Sequence, residues 1–145
     1  MANTTAAGRA TATTSQDVPP FAVAGGVLEA VGSRDFGRLA AAMHEDVHLL
    51  ALLPGGFKEW HGRAGVQAAF NAWFGGFDEF ELVDAVAGDV GARLYLRWRL
   101  RVRTTRRVGQ WLVVEQQVYA DAEADGQIDG LSVLCSGFHP ENARA

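Results

Sequence analysis

Asp84, His48 and Cys135 are the side chains of this 145-residue chain whose types best suit acid–base or nucleophilic work. Asp84 lies in the alternating segment 80–87. Matching Phe80, Leu82 and Val86 to the apolar face of the next strand turns Asp84 inward, a setting suited to proton abstraction from a carbon acid. A slip of one residue turns Val83 and Ala85 inward instead and leaves Asp84 in solvent. His48, on a short strand, is a second candidate acid or base at neutral pH. His44 and His48 have the i,i+4 spacing of helical metal ligands. Glu45 and Asp46 place a helix end between them and no clear third ligand follows, so no metal site is expected. His61, in the turn WHGR, reads as organising the start of a helix. Cys135 and His139 stand four residues apart near a strand end and form no nucleophile–base pair within one chain. Cys135 alone reads first as a small buried hydrophobe, since nothing near it in sequence marks an activated thiol.

The elements that position these residues change period along the chain. Pro19 and Pro20 suit a first helical turn with Asp17 as N-cap. Phe21, Ala24, Val27, Leu28 and Val31 then repeat at helical spacing up to Gly32. Ser33 or Asp35 opens a second helix with Phe36, Leu39, Ala40 and Met43 on one side and His44 in its last turn. Residues 47–53 read as a short strand stopped by Pro54-Gly55-Gly56, and residues 62–74 as a third helix. From Phe80 the period is 2: segments 80–87, 92–103, 110–120 and 127–138 alternate as strands. Helices followed by a meander predict an α+β fold, with helices on one face of a curved, mainly antiparallel sheet.

The segment RLYLRWRLRVRTTRR, residues 93–107, carries seven arginines in a chain of net charge −4. Leu94, Leu96, Trp98, Leu100 and Val102 alternate with Arg93, Tyr95, Arg97, Arg99, Arg101 and Arg103, so the arginines face away from the core. Apolar matching across the next hairpin sets Trp98 opposite Gln116, Arg99 opposite Glu115 and Tyr95 opposite Tyr119, with Trp111 beside Arg101. Acidic residues outnumber basic ones, 17 to 13, so the basic strip reads as a self-paired or dimer-forming face, and no nucleic-acid partner is expected. A two-residue turn at Asp125-Gly126 continues the register and sets Gln116 opposite Cys135. One row of the helix-covered face then reads Trp98, Gln116, Cys135. Gln116 among core residues either bonds a helix-end backbone group or meets a ligand or water.

Composition is that of a globular domain, 48% apolar and 21% charged. No apolar run approaches the roughly 18 residues of a membrane span, and no membrane partner is expected. A single cysteine excludes an internal disulfide and suits a reducing cytoplasm, the expected location. Residues 1–17, Ala/Thr-rich, read as a disordered tail; residues 18–140 as one domain; residues 141–145 as a flexible end.

The segments FGRLAAAMHEDVHL, WHGRAGVQAAFNAWF and DGQIDGLSVLCSGFHP, in this order, resemble the SnoaL-like members of the nuclear transport factor 2-like superfamily over about residues 20–140. The resemblance implies a cone-shaped α+β barrel, a small-molecule pocket between helices and sheet, and a homodimer through the outer sheet face. It implies chemistry without metal or organic cofactor, of cyclase, isomerase or dehydratase type, on a carbonyl-bearing or polyketide-like substrate. Family motifs transfer poorly: Leu53 precedes Pro54 where ketosteroid isomerases place a catalytic Asp, and Arg97-x-Arg99 stands where epoxide hydrolases have Arg-x-Asp. The expected catalytic residues are Asp84 and His48, and the expected ligand-binding residues Trp98, Gln116, Cys135 and Trp60. A non-catalytic dimerisation or ligand-sensing module is the alternative.

Overall fold

The computed structural model describes residues 18–104 and 109–141. The expected tail, the Asp17 cap and nearly all of the expected C-terminal end lie outside them. Helix α1, Pro20–Gly32, starts on its prolines and buries Val23, Ala24, Val27, Ala30 and Val31. Helix α2, Phe36–Ala41, is capped by Asp35, whose side chain accepts from the Arg38 amide at 3.0 Å. Between them Arg34 takes a left-handed conformation, φ 56°. Its guanidinium donates to the Phe74 and Phe77 carbonyls at 3.1 and 2.8 Å, tying the α1–α2 corner to the end of α3, Gly62–Phe74.

The strands are β1 (Met43–Leu53), β2 (Gly56–His61), β3 (Glu79–Val90), β4 (Arg93–Arg103), β5 (Leu112–Ala122), β6 (Ile128–Cys135) and the short β7 (His139–Pro140). Among the described residues they form one sheet in the order β2-β1-β6-β5-β4-β3, with β7 on β5. Neighbours are antiparallel except β1 and β6, which run parallel. The three helices pack on one face of this curved sheet, an α+β cone whose sheet does not close. Val47, Leu49 and Ala51 of β1, Leu96, Trp98 and Leu100 of β4, and Val66, Phe70 and Phe74 of α3 meet in one core. Each Val, Leu and Phe among them contributes about 1.5–3 kcal/mol when fully buried, which holds the two layers together.

Three local expectations are corrected. Strand β1 begins at Met43, so His44 lies on a strand and not in a helical turn. Its early residues are drawn into the sheet by β6, where Met43 pairs with Ile128. Strand β2 occupies residues expected to be a turn. Its alternation is hidden because Phe57 points outward and Lys58 shares the inner side with Trp60, a charge suited to an edge strand. The turn after β5 spans three residues, since the Glu123 amide donates to the Gln127 carbonyl and the register shifts near Ala122.

Candidate functional site

The row expected across the cone is present. Trp98 pairs with Gln116, and Gln116 with Cys135, on the helix-covered side. Trp98 is 1% exposed and Gln116 0%, so neither borders water-sized space. The Trp98 indole Nε1–H donates to Gln116 Oε1 at 2.9 Å. An indole can only donate, so this bond fixes the amide orientation and leaves Nε2 as a pure donor. Among the described residues Gln116 is the one polar side chain in the buried class, and its Nε2 has no partner.

An aromatic track leads from this pair to the sheet edge. Phe70 lies 6.3 Å from Trp98 between ring centroids, Trp73 lies 5.0 Å from Phe70, and Trp60 meets Trp73 edge-on at 5.5 Å. Trp60 and Trp73 are half-buried. Cys135 is a half-buried free thiol packed against the same core. Trp98, Gln116, Cys135 and Trp60 therefore share the inner side of the sheet.

The expected bases do not join them. A bulge at Val83 pairs Leu82 with Leu100 but Asp84 with Arg99, so Phe80 and Leu82 face the helices while Asp84 turns outward. There Asp84 accepts from Arg97 at 2.9 Å. Ala85 takes the place opposite Trp98. His48 also faces outward, between the inward Val47 and Leu49, and contacts Glu59 Oε1 through Nε2 at 2.9 Å. Its ring stacks on that of His61, 4.5 Å apart and 9° from parallel. His61 contributes no side-chain cap to α3. Glu59 was not among the expected site residues, because β2 was not legible as a strand.

The arginine face is paired internally. Arg93 bonds Asp121 at 2.9 Å, Arg99 bonds Glu115 at 2.9 Å, and Arg97 bridges Asp84 and Glu115. Arg101 bonds Glu81 and Glu141 at 2.9 and 2.5 Å, and Arg103 bonds Glu79. Arg101 also lies 3.9 Å above the Trp111 ring. Partial burial pushes the Glu115 carboxyl upward, but the Arg99 hydrogen bond and the charges of Arg99 and Arg97 carry it below its usual value. The Arg101 hydrogen bond lowers Glu141 in the same way. Every β4 arginine thus has a carboxylate partner, so the strip offers few free charges to phosphate.

The profile of the SnoaL-like domain matches residues 25–131. The chain belongs to the SnoaL-like family. Similar solved structures agree on the fold. A candidate polyketide cyclase from Xanthomonas campestris pv. campestris is 21% identical over 79% of this chain and 88% of its own, with a TM-score of 0.63. A candidate SnoaL-like polyketide cyclase from Shewanella denitrificans is 11% identical over 81% and 90%, with a TM-score of 0.62. A protein of ketosteroid isomerase-like fold from Catenulispora acidiphila, solved with trimethylamine, is 9% identical over 77% and 82%, with a TM-score of 0.63. At these identities the likeness shows the nuclear transport factor 2-like fold and not an activity. No curated protein matches the chain in sequence. No helix of the described residues is long and apolar enough to cross a membrane.

Proposed function

We propose that this SnoaL-like protein binds a small, largely apolar, carbonyl-bearing molecule between α3 and the sheet, and does so without turning it over. The observation that carries this reading is the buried Gln116 amide, held by Trp98 with its Nε2 donor unpartnered. A buried donor left unmade costs about 1–3 kcal/mol, which a ligand carbonyl recovers. Trp98 supplies a flat apolar surface beside that donor, and Cys135 adjoins it in the same row. The half-buried Trp60 and Trp73 stand at the outer end of the aromatic track, and the ligand enters by displacing them. Binding without turnover is favoured because Asp84 and His48 lie on the other side of the sheet. An amide and an indole supply no titrating group for acid–base catalysis near neutral pH.

The partner of the outer face is a second copy of the chain. Leu50, Leu52, Phe57 and Leu134 line an apolar groove of about 240 Å³ there. Phe57 is 70% and Leu134 49% exposed, a cluster suited to a self-complementary contact. The full burial of Trp98 and Gln116 favours a second reading, an interaction module whose cone is filled by its own side chains.

Native mass spectrometry of the freshly purified protein, followed by denaturing analysis of any bound mass, separates the two. A retained small carbonyl compound, absent from a Gln116→Met variant, supports the binding reading. A ligand-free protein that also ignores added apolar ketones removes it.

A further inference from the structure

We propose that His48, Glu59 and His61 form a surface site for a borderline divalent transition-metal ion such as Zn²⁺. The β1–β2 hairpin assembles it. His48 and His61 pair directly across the strands, and Glu59, opposite Leu50, lies on the same outer side two residues before His61. The site is therefore separated by the sheet from the Trp98–Gln116 pair, and it stands independently of the ligand-binding reading.

The donor atoms of the three side chains lie within 4.8 Å of one another. Glu59 Oε1 is 2.9 Å from His48 Nε2 and 3.9 Å from His61 Nε2. Zinc takes imidazole nitrogen and carboxylate oxygen at about 2.0–2.2 Å, which sets tetrahedral donors about 3.3 Å apart. The two separations from Glu59 bracket that value and each needs a shift of well under 1 Å, while the two imidazole nitrogens, within 4.8 Å of each other, must also converge. Two imidazoles and one carboxylate suit zinc, copper or nickel far better than magnesium or calcium, which favour all-oxygen sets.

The imidazole rings now stack, so their lone pairs lie in two nearly parallel planes and cannot meet on one ion. Each ring must turn about its Cβ–Cγ bond. Little packing opposes the turn, because His61 and Glu59 are exposed and His48 is partly so. The strand pairing fixes the three Cβ positions and need not change. The bound ion takes the place of the proton shared between His48 and Glu59, and water fills its remaining position.

Calorimetric titration of the chelator-stripped full-length protein with zinc chloride tests the site. The expected result is one equivalent bound. His48→Gln, Glu59→Gln and His61→Gln should each weaken binding by about tenfold or more. His44→Gln, on the same strand but outside the cluster, should bind as the unaltered protein does, and magnesium chloride should give no binding heat. Circular dichroism confirms that each variant is folded. Absence of zinc binding overturns the proposal, as does equal affinity in the His48→Gln/His61→Gln double variant.

Discussion

Changing Trp98 to Phe and Gln116 to Met, singly and together, probes the half-satisfied amide at the centre of the cone. In the native chain the indole N–H is paired at 2.9 Å and Gln116 Nε2 is not. Each buried unpaired polar group costs about 1–3 kcal/mol. Gln116→Met removes the unpaired amine but leaves the indole N–H without an acceptor, so its net effect should lie near zero. Trp98→Phe leaves the whole amide unpaired and also removes ring volume from a close-packed site, at a cost of about 2–4 kcal/mol. The double variant has no unpaired group at this position. Its stability should exceed the sum of the single changes by about 2–6 kcal/mol, twice the cost of one unpaired group. Urea unfolding followed by far-ultraviolet circular dichroism, with all four proteins at one pH, gives this coupling directly. Additivity within about 0.5 kcal/mol would refute the Trp98–Gln116 pairing, and a Gln116→Met cost of about 2 kcal/mol or more would mean that Nε2 is already satisfied.

Further outcomes concern the sheet's other side. Glu115 and Glu141 are held below their usual values, so their ion pairs add stability above the unfolded carboxylate range, near pH 4.3, and lose it as pH falls through the lower folded values. Urea midpoints measured from neutral to acid pH should therefore fall, and Glu115→Gln should flatten that fall; an unchanged slope would remove Glu115 from the account. Phe57→Lys should convert a dimer to a monomer in light scattering behind size exclusion, whereas a native monomer would dispose of the outer-face contact. Asp84→Asn and His48→Gln should leave apolar-ligand affinity within about twofold, since both residues lie behind the sheet; a tenfold loss would return them to the site.

The β4–β5 register was legible because Leu94 to Val102 and Val114 to Val118 alternate without interruption, which limits the pairing to registers two residues apart, and the observed one also sets Arg99 opposite Glu115. That alternation also placed Trp98, Gln116 and Cys135 in one row before any coordinates. Asp84 was misplaced because a bulge is a backbone event: one extra residue at Val83 reverses the facing of all that follows, and the alternating pattern carries no mark of it. The His48–Glu59–His61 cluster escaped notice for a related reason. Its strand exposes Phe57 and buries little besides Trp60, so hydrophobic period gave no strand there and hence no cross-strand neighbour for His48. The unpaired state of Gln116 Nε2 required coordinates, because a sequence cannot say which amide atom an indole engages.

The central claim is that the cone receives a carbonyl group on Gln116, and paired titrations with acetophenone and ethylbenzene test it most directly. The two probes have nearly the same shape and differ in the carbonyl oxygen. The account predicts that the native protein binds acetophenone about tenfold more tightly, the worth of one net hydrogen bond, and that Gln116→Met loses this preference while still binding both. An equal preference in the native protein and the variant, or no binding of either probe, would contradict it.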